Sequence, residues 1–284
     1  MTAVATAPPA AEGAEHRVRR HGWTRFILPA YSWLVIAYLV FPIAVMILYS
    51  FNRVNTGLPQ VSFAWNGFTL RWYREWSSIP QLTSSFWLSV RLALASTLLS
   101  TIIGTLLALA LVRYRPPRFR GKGAVEQVLF LNIAAPEIVL GASLLGLFVT
   151  ISVARGFATL LLAHVAFSIA YVAITVRARM AGFDRSLEEA AQDLGANAWV
   201  TFRKITLPLI MPGILAGALM AFALSIDDFV TSNFVSGSAV PFPVWVYGAT
   251  RLGIPPQVFV FGTAIFAVGI LCALASVVLA RRQA

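Results

Sequence analysis

The chain has 284 residues, of which 58% are hydrophobic and only 12% charged, and its mean hydropathy is +0.78. An ordinary soluble domain carries roughly 25% charged residues, so water is excluded as the only solvent of this chain. The net charge of +11 could point to nucleic acid, but the basic residues fall in clusters between apolar runs, an order that fits a membrane and excludes nucleic acid as the partner. A lone cysteine, Cys272, rules out an intrachain disulfide and a Cys/His metal cluster.

In chain order, residues 1–22 are Ala/Pro-rich and are expected to form a disordered cytoplasmic tail; residues 23–284 then form one membrane domain. The basic residues Arg17, Arg19, Arg20 and Arg25 precede an apolar run over 26–49 that is too long for a cleaved signal core and reads as a retained first span. Further apolar runs cover 86–111, 125–153, 157–176, 209–226 and 258–280. A helix needs about 20 residues to cross the hydrocarbon core, so the pattern predicts an all-α protein with six transmembrane helices. Segment 52–85 carries Phe63, Trp65, Phe68, Trp72, Tyr73 and Trp76 and reads as an aromatic anchor on the outer face.

Basic residues set the orientation. The tail, loop 113–122, loop 177–204 and the Arg281–Arg282 end hold most of the lysines and arginines, whereas the opposite side holds Arg53, Arg71, Arg74, Arg155 and Arg251. Both termini are therefore expected in the cytoplasm. Arg91 falls inside the second apolar run, near its outer end.

Charged groups within spans cost about 2.5 to 3.5 kcal/mol on insertion scales and mark aqueous paths or partners. Glu137, placed near mid-membrane just after the kinking Pro136, and the pair Asp227–Asp228, placed near the outer end of the fifth span, form a lining suited to a cation. A helix end paired with Arg91 is the competing reading for the two aspartates. His164 reads as a hydrogen-bonded packing residue.

The cytoplasmic loop 177–208 is not a plain connector. Leu187, Ala190, Ala191 and Leu194 recur at helical spacing, Gly195 can end that helix in a left-handed cap, and Trp199, Phe202 and Ile205 mark a second short helix that Pro208 joins to the next span. Small residues at Ala190 and Ala191 let a partner approach the backbone, with Glu188, Glu189 and Asp193 as charges at the rim. Lying on the membrane surface is the alternative use of such a face.

The run E-A-A-x3-G-x9-I-x-L-P, from Glu189 to Pro208, resembles the signature of permease subunits of binding-protein-dependent ABC importers. The resemblance implies the type I importer permease fold and a coupling helix seated in a groove of a cytoplasmic ATPase. It assigns the contact to Glu188, Glu189, Ala190, Ala191, Gly195, Ile205, Leu207 and Pro208. It also implies a second, homologous permease, an ATPase dimer that carries ATP and magnesium, and an external solute-binding protein, with no cofactor on this chain. A phosphate-binding loop is absent, since Gly121-Lys122 has Pro116 where the upstream glycine would stand. Segments 135–145 and 225–237 look like the second permease of spermidine/putrescine importers, which implies a polyamine passing Glu137, Asp227 and Asp228. An importer of iron, thiamine or opine-type solutes, a membrane-embedded enzyme using Glu137 with Asp227, and a passive channel are the other readings.

Overall fold

A computed structural model describes residues 24–54, 64–113 and 121–281. The expected disordered tail, Phe63, and the basic residues Arg115, Arg118, Arg120 and Arg282 lie outside these. The described chain is helical, with one isolated antiparallel bridge between Asn52 and Phe68. It divides into a first unit ending at Met46 and a second from Ile47 onward. Helix α1 (Thr24–Tyr49) carries Pro29 and Pro42 inside it and has an apolar stretch of 24 residues, Phe26–Tyr49, long enough to span a bilayer.

In the second unit, the short α2 (Arg71–Arg74) precedes α3 (Pro80–Arg113), whose 34 residues correspond to about 50 Å and exceed a hydrocarbon core of about 30 Å. Then come α4 (Lys122–Ala134), α5 (Glu137–Thr150) and α6 (Phe157–Ala181). The loop helices α7 (Ser186–Asp193) and α8 (Ala198–Thr201) follow, with a π-helical turn over Phe202–Thr206. The remaining helices are α9 (Leu207–Asp227), α10 (Val230–Val235), α11 (Phe242–Leu252) and α12 (Gln257–Arg281).

Helices α3, α6 and α9 pack against one another and form the centre of this unit. In lipid, apolar burial alone does not hold helices together, so close backbone approach at small residues does much of it. The side chain of Val172 on α6 fills the space beside Gly104 of α3, where an added Cβ would come within 2.8 Å of it, and its Cα lies 3.2 Å from a Cβ built at Gly217 of α9. A Cβ at Gly213 would meet the Cβ of Arg179 at 2.6 Å. Ala108, Val172, Val176, Ile210 and Ala221 are buried in the same cluster.

Among the described residues, four helical segments are long and apolar enough to cross a membrane, and a fifth crossing results if the bent pair α4 and α5 counts as one. The third apolar run, expected as one span kinked at Pro136, is broken into two helices. It bends by 111° between Lys122–Ala134 and Glu137–Thr150, because Pro136 cannot donate to the ladder and holds Ala135 in an extended conformation (ψ 136°). The stretch between the fifth and sixth apolar runs, too polar to predict a span, contains two helices, α10 and α11. Phe242 of α11 packs with Leu82, Val258 and Phe261, and its backbone N–H donates to Ser89 Oγ of α3 at 2.8 Å.

Candidate functional site

The loop between α6 and α9 forms one end of the candidate site. Asp184 Oδ1 accepts the backbone N–H of Ser186 at 2.9 Å and so starts α7, an N–H donation that holds the Asp184 carboxyl below its ordinary pKa. Leu194 closes the helix and Gly195 follows at φ +86°, a conformation that disfavours any side chain. The Gly195 N–H donates to the Gln192 carbonyl at 2.9 Å and the Ala196 N–H to the Ala191 carbonyl at 3.0 Å, the paired bonds of a Schellman ending. Asn197 caps the next turn by accepting from the Val200 N–H at 2.9 Å.

From there the chain runs as one helical segment, Ala198–Asp227. The expected separate second helix is instead the root of α9. The Leu207 N–H reaches back five residues to the Phe202 carbonyl, and this π-turn absorbs the register change ahead of Pro208, which supplies no N–H.

Of the residues assigned to coupling, Glu189, Ala190, Gly195 and Pro208 are exposed, while Ala191, Ile205 and Leu207 are half-buried. Glu188 is not a rim charge. Its side chain is 18% exposed and turns inward to Arg113, the last residue of α3, and to the hydroxyl of buried Thr206. Two residues absent from that assignment form the most prominent apolar surface of the loop, Leu194 at 88% exposure and Trp199 at 66%. Hydrophobic side chains at a helix end with no core to face are the signal that marks them.

The other end is a cleft of about 350 Å³ lined by Glu137, Leu140, Phe167, Tyr171, Asp227 and Phe229 among others. It brings together all three acids read from the sequence, and Asp228 also lines it. Two helix breaks meet there, the one at Pro136 ahead of Glu137 and the one between α9 and α10 at Asp228 and Phe229. Broken helices of this kind are tolerated at membrane depth where they line a cavity.

The two aspartates differ. Asp227 is exposed to the cleft. The Asp228 side chain is only 7% exposed; it accepts the N–H of Ser232 at 2.7 Å and of Thr231 at 3.3 Å, and it lies 3.5 Å from His164 Nε2. Fully buried His164 also bonds Ser225 Oγ through Nδ1 at 2.7 Å and Ser232 Oγ through Nε2 at 3.0 Å, and Ser225 accepts from Ser96 of α3 at 3.0 Å. The hydrogen-bonded role expected of His164 is therefore present, within a network that ties α3, α6, α9 and α10 together.

Thr159, near the start of α6, donates to the Val235 carbonyl at the end of α10 at 2.9 Å, whereas Asp228 is level with His164, five residues or about 7 Å further along α6. Asp228 is inside the bundle while Asp227 faces the cleft, and Glu137 opens α5 after a bend far sharper than the kink expected at Pro136. Arg91 lies in a separate recess with Gln81, Ser84, Ser238 and Trp245, and among the described residues it makes no ion pair with either aspartate.

Apolar spanning helices, broken at an acidic cleft, and a two-part loop exposing a small-residue helix define a polytopic membrane transport protein. Residues 13–283 match the family of binding-protein-dependent transport system inner membrane components, and the chain belongs to that family. It is 38% identical over 259 residues to the spermidine/putrescine transport system permease protein PotC of Haemophilus influenzae, covering 91% of this chain and 98% of that one. To the putrescine transport system permease protein PotI of Escherichia coli K12 it is 38% identical, with 87% and 88% covered. A bacterial ABC transporter that imports the acidic polysaccharide alginate shares the fold at TM-score 0.65 and 15% identity, over 92% of this chain and 95% of that one. The inward-facing MetNI methionine transporter matches at TM-score 0.61 and 17% identity, with 72% and 99% covered. The chain is a multi-pass permease subunit of an inner-membrane transport system.

Proposed function

We propose that this chain is the translocating subunit of an ATP-driven polyamine importer. The observation that carries the polyamine reading is the cleft, where Glu137 and Asp227 face one cavity together with Phe167, Tyr171 and Phe229. A flexible polycation is attracted by the carboxylates and by the faces of the rings, and each contact is weak enough to be released as the chain of amines moves on. The names of the PotC and PotI relatives agree with this chemistry.

In this reading the chain has no ATPase site of its own. A cytoplasmic ATPase dimer, holding ATP and magnesium, grips α7 through Glu189, Ala190, Ala191 and the Gly195 bend, with Leu194 and Trp199 as apolar anchors. The basic loop 177–204 and both termini then face the cytoplasm. A second homologous permease completes the pathway, and an external binding protein delivers the solute and sets most of its selectivity.

Spermidine uptake by the complete transporter tests the cleft. Asp227→Asn together with Glu137→Gln removes both exposed charges and should lower uptake at least tenfold with the complex still assembled. Unchanged kinetics would remove the cleft from the path. Retained transport of iron, thiamine or an opine with none of spermidine would move the substrate to another class.

A further inference from the structure

The underside of α7 holds an arrangement that ATPase docking does not require. Arg113 is the final residue of α3, Glu188 lies on α7, and Thr206 ends the π-turn at the root of α9. The three side chains bond one another in a closed triangle: Arg113 Nη2 donates to Glu188 Oε1 and, at 3.1 Å, to Thr206 Oγ1, and Thr206 Oγ1 donates to the same Glu188 oxygen. Beside it, Arg185 Nη2 donates at 3.1 Å to the carbonyl of Val112 near the end of α3. Arg185 and Glu188 are three residues apart and so project from one side of the α7 turn.

An exposed ion pair contributes little to stability. Here Thr206 is fully buried and Glu188 is mostly covered, so the consequence of the triangle is geometric: it fixes where α7 sits relative to two helices of the packed centre. α7 also packs against α8 and the π-turn, and its chain links to the bundle are short, at 182–185 and 194–197. A force applied to α7 through such links alone would swing the helix before it moved the bundle. The π-turn carrying Thr206 adds to this, because it lets a buried hydroxyl reach the loop at the point where α9 begins.

We propose that Arg113, Glu188 and Thr206 form a clasp that stays closed through the transport cycle, so that α7 moves as one body with the cytoplasmic ends of α3 and α9. They are positioning residues for coupling and do not themselves touch ATP or the solute. This rests on the reading of α7 as the ATPase contact.

The test uses the complete transporter in proteoliposomes and reads ATP hydrolysed per spermidine carried. Glu188→Gln, Arg113→Gln and the near-isosteric Thr206→Val should each raise that ratio at least fivefold, with Glu188→Gln/Arg113→Gln no worse than either single change. In an Arg113→Cys/Glu188→Cys pair, a short bifunctional thiol cross-linker should bring the ratio back to within twofold of the parent. Wild-type ratios in all the clasp variants, or loss of transport on cross-linking, would overturn the clasp. A Leu194→Asp variant run alongside separates the two claims. If it uncouples while the clasp variants do not, α7 docks the ATPase and the clasp is passive; if neither does, the docking reading fails and the clasp with it.

Discussion

The α7 loop and the acidic cleft each contain a pair of adjacent acids, and in each the pair is split between two tasks. Glu188 turns inward to Arg113 and Thr206 while Glu189 faces solvent; Asp228 turns inward to the α10 backbone and His164 while Asp227 faces the cleft. The cause of the split differs. On α7 successive residues point about 100° apart, so helical geometry alone sends neighbours to different faces. At the cleft the helix stops between the two acids, Asp227 ending α9 and Asp228 receiving the first N–H groups of α10. Doublets that look equivalent as text are thus one structural and one exposed acid apiece.

That comparison can be broken most severely at Gly195. Its φ of +86° and the paired bonds behind it present α7 at a set angle, so Gly195→Val with Glu189→Ala should cost at least a tenfold loss of ATP-coupled uptake in proteoliposomes. Uptake at the parental rate would make the bend irrelevant to coupling. A smaller effect is expected where helices meet. Gly104→Val adds a Cβ 2.8 Å from Val172, and overpacking of this kind costs about 1 to 3 kcal/mol, measurable as a lowered unfolding midpoint in detergent. The smallest concerns the inward member at the cleft. Asp228→Ala removes a cap worth about 1 kcal/mol and leaves His164 without that neighbour, so it should lower stability more than Asp227→Ala does. The reverse order would sink the division of labour between them.

How far the sequence carried is clear from these same residues. The helix and its Gly195 ending are local, written in spacing and in one glycine, and both are present, whereas the second short helix runs on into α9. The break at Pro136 was legible as a kink, but its 111° angle depends on how α5 packs against α10. The break at Asp228 has no proline or glycine to announce it. The start of α11 did have a signal, since Pro243 stands in its first turn and Gly253 follows its end with φ 112°. Contacts such as Arg113 with Glu188, 75 residues apart, or His164 with Ser225, 61 apart, join charges and hydroxyls that the linear order does not pair.

Uptake of labelled spermidine into proteoliposomes tests the central claim most directly, with this chain assembled with its ATPase, second permease and binding protein. The account predicts accumulation that requires ATP and the binding protein and that is lost in the Asp227→Asn/Glu137→Gln variant. Accumulation without ATP, or ATP-driven transport that ignores polyamines, would contradict it.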